Sequence, residues 1–147
     1  GLFVAAAGNE AQWAPAYPAA FDPVVAVAAL DQEGNPAPFT NYGQWVNACA
    51  VGVDLVSFFF THRRKPDDGF VDIDRDFYGI QPPGFKGWAR WSGTSFAAPV
   101  VAARIIQVKR AKQINMKQAR DEVIGPVDPD GNPNDRYPLL GVPVIPH

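Results

Sequence analysis

With 147 residues, 47% of them hydrophobic, the chain is long enough to bury one real core, and 13 Lys and Arg against 15 Asp and Glu leave a net charge of −2. That balance argues against a nucleic-acid surface, and the basic cluster His62, Arg63, Arg64 and Lys65 is too short to reverse it. A single cysteine, Cys49, excludes an internal disulfide, and no apolar run approaches the length of a membrane span.

The opening GLFVAAAGNE lacks the basic start of a signal peptide. Residues 2–7 predict a buried strand that ends at Gly8-Asn9-Glu10. Because no loop, cap or tail precedes that strand, the chain is expected to be a piece of a longer polypeptide. Residues 11–23 place Pro15, Pro18 and Pro23 among Trp13, Tyr17 and Phe21, which predicts a structured loop whose aromatics pack on the body. Val24 to Leu30, VVAVAAL, is a second, fully apolar strand, followed by the turn chemistry of DQEGNPAP. WVNACAVGVDLVSFFF is interrupted by Gly52 and Asp54, so it predicts two short strands with a bend, and Cys49 inside it is a small core residue.

From Thr61 to Gly87 the chain is charged, rich in Gly and Pro and without helical period, which predicts an exposed hairpin or long loop. A helix should begin close to Ser95, because Pro99 is tolerated only near a helix start. Val101, Ile105, Ile106 and Val108 supply its apolar residues, and Lys109, Arg110 and Lys112 complement the dipole at its far end. A second helix is predicted over about 115–124, capped by Asn115 and terminated by Gly125-Pro126. The Pro-rich tail 127–147 is expected to be irregular. Buried strands followed by an apolar helix predict an α/β sheet, at least in part parallel, covered by helices. With only about three strands, its first strand would leave an edge whose partner is expected to precede Gly1.

The stretch WSGTSFAAP, from Trp91 to Pro99, combines a flexible Gly93 with hydroxyls at a helix start, where free N–H groups and the positive dipole end gather. Two readings follow from local chemistry. Thr94 or Ser95 is an ordinary N-cap, or Ser95 is a nucleophile whose attack creates an oxyanion beside helix-terminal donors. Local sequence leaves both open.

VAAAGNE at 4–10 and SGTSFAAPVVAA at 92–103 together resemble the oxyanion-hole strand and nucleophile helix of subtilisin-like serine proteases. The segment between them, from Tyr17 to Ser57, is similar in order and spacing. The resemblance covers roughly the first 125 residues, less the 61–87 loop, which has the character of an insertion. It implies the C-terminal portion of a subtilisin-like peptidase domain over 1–147, a partial parallel sheet flanked by helices and lacking its N-terminal half. It further implies that Ser95 is the nucleophile of an acyl-enzyme mechanism. Asn9 would be the side-chain donor that holds the oxyanion with the Ser95 N–H, where the plain reading makes Asn9 a turn residue beside Gly8. Thr94 would support that hole, and Ala6, Ala7 and Gly8 would form one wall of the pocket for the substrate residue before the cut.

Departures from the family pattern carry equal weight. In the family the base is a His within His-Gly-Thr-His, oriented by an Asp from Asp-[Ser/Thr]-Gly, and neither stretch occurs here. His62 and His147 are read as solvated side chains, so the His and Asp are expected in the upstream half, with which this chain would be partnered, and the chain alone is expected to be inactive. Phe96 stands where the family more often has Met, and Val100 replaces the usual His after the proline. Arg104 falls where small or apolar residues are favoured and must find a carboxylate or reach a surface. Asp72, Asp74 and Asp76, and again Asp128, Asp130 and Asn132, alternate as calcium ligands do, yet neither run reaches the Glu of a full calcium loop and a solvated loop is the default. The aromatics Phe77, Tyr78, Phe85, Trp88 and Trp91 fit either a substrate groove or packing of the long loop.

The expected function is therefore peptide-bond hydrolysis by a serine endopeptidase fragment, with no catalytic cofactor and, by resemblance, a secreted or cell-envelope location. The alternative is a pseudoprotease or peptide-binding module on the same fold. A third reading, a nucleotide-binding domain using the same helix terminus, lacks any GxGxxG or P-loop pattern.

Overall fold

A computed structural model describes residues 1–58 and 88–125. Its body comprises Gly1–Leu55 and the described chain from Ser92, and Val56–Trp91 is assigned to a second unit.

The body is a parallel three-stranded sheet in the order β1 (Phe3–Ala6), β2 (Val24–Leu30), β3 (Ala48–Val51). Phe3 pairs with Val24 and Ala6 with Val27; Val27 then pairs with Ala48 and Leu30 with Val51. The central β2 is an unbroken apolar run because both its faces are covered, and its side chains divide with period two. Val25, Val27 and Ala29 join a core with Ala97, Val101 and Ile105, whereas Ala28 and Leu30 meet Ala7, Val46 and Cys49 on the other side. β1 is the edge strand among the described residues, and Phe3 is 72% exposed. The edge is where the small number of strands led it to be expected; the exposure of Phe3 departs from the expectation of a buried strand, whereas Leu2 and Val4 pack against the core.

Two helices complete the body. α1 (Thr94–Lys112) carries Lys109, Arg110 and Lys112 in its last turn and ends at Gln113 in the left-handed conformation. Pro99 lies inside it, at an exposed position, and removes the N–H that would otherwise pair with the Ser95 carbonyl. α2 (Met116–Ile124) starts with a capping box in which Asn115 Oδ1 accepts from the Gln118 N–H at 2.9 Å and Gln118 Oε1 accepts from the Asn115 N–H at 3.1 Å. At its end Gly125, φ +71°, donates its N–H to the Asp121 carbonyl. Asn115→Ala removes one satisfied helix donor and is expected to cost about 1 kcal/mol, read from the midpoint of a urea unfolding curve.

The predicted bend between β3 and β4 (Leu55–Phe58) falls where expected, with Asp54 at φ +58°. β4 pairs with β5 (Trp88–Trp91), and the rings of Phe58 and Trp88 form a tilted pair with centroids 4.2 Å apart. β5 was not foreseen: four residues, two of them Trp and one Arg, are too short to show alternation. The 61–87 segment, with His62, Phe77, Tyr78, Phe85 and Asp72 to Asp76, lies outside the described residues, as do the tail 127–147, Asp128 to Asn132 and His147.

The aromatics of the 11–23 loop do not pack on the body. Trp13, Tyr17 and Phe21 are 72%, 66% and 54% exposed, and Tyr17 and Phe21 meet each other instead in a tilted pair, centroids 4.7 Å apart. Backbone bonds hold the loop: Ala11 N–H donates to the Phe39 carbonyl and Tyr42 N–H to that of Gln12, while Trp45 Nε1 donates to the Trp13 carbonyl. Arg104 reaches the surface and donates to Gln107 Oε1 at 2.7 Å. Cys49 is 1% exposed, and burial pushes its thiol up from 9.0 to about 11. An unfolded thiol ionises first, so this group's contribution to stability is complete below about pH 9 and declines as pH rises toward 11. A maleimide at pH 8 is therefore expected to leave Cys49 unlabelled until the protein is unfolded.

Candidate active site

In a parallel sheet all strands point their carboxyl ends to one edge, and the loops that leave that edge are brought together whatever their separation in sequence. Here β1 runs out through Ala7, Gly8 and Asn9, and β3 runs out through Gly52. Gly52 donates its N–H to the Leu30 carbonyl at 2.9 Å, and its own carbonyl accepts the Gly93 N–H at 2.8 Å. The start of α1 is thereby fastened to the sheet edge. A Cβ at position 52 would lie 2.8 Å from the Gly93 carbonyl oxygen and 2.9 Å from the Ala29 Cβ, so only glycine permits this approach. Sequence reasoning treated Gly52 merely as a strand interruption.

Asn9 and Thr94 close the arrangement. Asn9 Oδ1 accepts the Thr94 N–H at 2.9 Å and the Thr94 hydroxyl at 3.0 Å, while Thr94 Oγ1 accepts the Gly8 N–H at 3.1 Å. The carboxamide oxygen is thus held by two donors, and the hydroxyl that donates to it is itself held. Asn9 Nδ2 lies over Gly93, 3.5 Å from where a Cβ on that residue would stand. Among the described residues, Nδ2 and the Ser95 N–H donate to no protein acceptor. The other first-turn donors are occupied, Thr94 N–H on Asn9 and Phe96 N–H on the Gly93 carbonyl at 3.0 Å. No acidic residue in the first turn of α1 offsets the positive end of its dipole.

The N-cap alternative for Thr94 and Ser95 is overturned, because Gly93, which has no side chain, occupies the cap position. Ser95 is exposed at the second helical residue, and Asn9 is exposed beside it in the fold through their shared neighbour Thr94. Ala6 and Gly8 are half-buried, whereas Ala7 and Thr94 have 0% exposure. Ala7 packs with Ala28, Leu30, Val46 and Cys49, and Thr94 uses its hydroxyl on Gly8 and Asn9. Gly8 adopts φ +106°, and a Cβ there would lie 2.4 Å from Asn41 Nδ2. Asn41, fully buried, is the second residue that sequence reasoning missed, since nothing in FTNYG separates it from an ordinary turn residue.

A cavity of about 400 Å³ near the start of β2 and the end of α2, lined by Asp22, Val25, Asn47, Arg120 and Ile124, contains none of these residues. The candidate site is an open surface at the opposite ends of the strands. Among the described residues no helix is long and apolar enough to cross a membrane, and no group of His, Cys, Asp and Glu that could hold a metal occurs.

The subtilase family model, Peptidase S8, matches residues 1–124. A thermophilic serine proteinase of Bacillus sp. (strain AK1) is 32% identical over 132 residues, covering 88% of this chain and 27% of that protein. An extracellular basic protease of Dichelobacter nodosus is 35% identical over 102 residues, covering 69% of this chain and 14% of that protein. The solved structure of the prenylagaramide maturation protease PagA superimposes with a TM-score of 0.64 at 25% identity, over 98% of this chain and 47% of that one. The chain thus spans less than half the length of each of these relatives. It belongs to the subtilase family of serine proteases.

Proposed function

We propose that this chain supplies the nucleophile and the oxyanion-binding elements of a subtilisin-like serine endopeptidase. Ser95 Oγ attacks a peptide carbonyl, its proton passes to an imidazole base, and the tetrahedral oxyanion is held by Asn9 Nδ2 and the Ser95 N–H. Collapse expels the amine, which takes the proton from the imidazole, and leaves an acyl-enzyme on Ser95. Water then repeats the sequence and releases the acid.

The observation that carries this reading is the double acceptance at Asn9 Oδ1, which turns the other end of the amide, Nδ2, into an oriented donor beside the start of the Ser95 helix. A donor contributes most to an oxyanion when it is oriented before the charge develops. The base and the Asp that orients it are assigned to the segment of the catalytic domain upstream of this chain. Ala6 and Gly8 offer one wall of the pocket for the residue before the cut, backed by Ala7, and their small size leaves room for a large apolar or aromatic group. The substrate is a peptide or protein, and the site of action lies outside the cell or in its envelope, in keeping with the secreted character of bacterial subtilisins.

The test treats the full-length protein with a fluorophosphonate probe and maps the adduct by mass spectrometry. Labelling at Ser95, lost in Ser95→Ala, is expected. A folded full-length protein that takes no label at Ser95 overturns the nucleophile and leaves the peptide-binding reading in its place.

A further inference from the structure

Resting on the oxyanion reading above, we propose that Asn41 is a positioning residue for catalysis, acting through Asn9 by locking the 7–12 segment that carries it. Asn41 has 0% exposure, and all four hydrogen-bonding positions of its carboxamide are used. Its Oδ1 accepts the N–H of Glu10 at 2.9 Å and of Gln12 at 3.3 Å. Its Nδ2 donates to the Ala7 carbonyl at 3.0 Å and to Glu10 Oε2 at 2.8 Å. Its backbone N–H donates to the Gly8 carbonyl at 2.9 Å.

These bonds bracket Asn9 on both sides. Ala7 and Gly8 before it and Glu10 and Gln12 after it are all tied to one buried residue 29 to 34 positions away, Gly8 through that residue's backbone N–H and the others through its side chain. The residue between them is left with its side chain free to meet Thr94. Asn41 is itself anchored, because the Thr40 hydroxyl beside it accepts the Ala29 N–H at 2.9 Å and so joins this turn to the central strand. A loop end beyond an edge strand would otherwise have several backbone conformations of similar energy. An oxyanion donor displaced by a fraction of a hydrogen-bond length loses most of its effect.

A double-mutant cycle in the full-length protein separates positioning from general structure. Asn41→Asp keeps the acceptor for Glu10 and Gln12 but sets an oxygen against the Ala7 carbonyl and the Glu10 carboxylate. It is expected to lower kcat about tenfold with KM within about twofold, and to lower it less than about twofold when Asn9 is already alanine. In Asn41→Ala, which removes that acceptor, amide exchange at Glu10 and Gln12 is expected to accelerate at least about tenfold, while the β2–β3 ladder is unchanged. Should Asn41→Asp not fold, Asn41→Ser, which retains one acceptor, runs through the same cycle. Equal losses in both backgrounds, or unaccelerated exchange at Glu10 and Gln12, overturn this proposal alone. An unaffected kcat in Asn9→Ala overturns the oxyanion reading, and the catalytic role of Asn41 with it.

Discussion

Asn9→Ala is expected to lower kcat by roughly 10²–10³ while KM changes little, a magnitude that belongs to subtilisin itself and is carried over to this relative. The reason for the split is physical. A ground-state carbonyl oxygen carries little charge, so the amide donor gains most of its interaction as the oxygen becomes an anion, and its loss falls on the chemical step. The reason for the size lies in the anchoring. Asn9 Oδ1 is gripped by the N–H and hydroxyl of Thr94, whose Oγ1 in turn accepts from Gly8, so Nδ2 has no reorganisation left to make. Two companions sharpen the result. Thr94→Val, which deletes one donor to Asn9 and the acceptor of the Gly8 N–H, should lose kcat as well, and Thr94→Ser should restore most of it. Steady-state kinetics on a peptide amide substrate read all three. Asn9→Ala within about threefold of the parent enzyme would show that this amide does not face the reacting oxygen.

Gly52→Ala carries the largest expected effect on stability, a loss of about 1–3 kcal/mol. The added Cβ would stand 2.8 Å from the Gly93 carbonyl oxygen, 2.9 Å from the Ala29 Cβ and 3.2 Å from the Ala97 Cβ. Two of these are methyl groups on regular elements and the third is backbone, so none can swing aside as the end of a long side chain would. Relief requires the start of α1 to move off the sheet edge, which stretches the 2.8 Å bond from Gly93 to Gly52 and carries Ser95 away from Asn9. Denaturant unfolding should therefore shift, and the folded enzyme should also lose kcat. Unchanged stability and kcat in Gly52→Ala would show that this junction does not set the spacing of the site.

The two residues missed from sequence share a cause. Gly52 and Asn41 matter through partners on other elements, and glycine after a strand or asparagine in a turn is ordinary in either context. The same blindness misplaced the aromatics. Trp13, Tyr17 and Phe21 promised burial by their chemistry, but whether a loop's rings find a surface depends on which elements lie beneath it, and here they remain 72%, 66% and 54% exposed.

Sequence alone determined what is decided within a strand or a turn of helix: the apolar run of β2, the bend at Gly52 to Asp54, the Asn115 cap with its Gly125 stop, and the pairing of two motifs that marks the family. These rest on periodicity, dihedral preference and capping, all of which act over a few residues. Only the tertiary structure decided that the Thr94 N–H and hydroxyl grip Asn9 Oδ1, that Gly93 takes the cap position of α1, and that Ala7 is buried with Ala28, Leu30, Val46 and Cys49. The hydrogen bonds concerned join residues 85 and 86 positions apart, and no local preference encodes a partner at that distance. The parallel sheet does so by delivering its strand ends and the start of α1 to one edge.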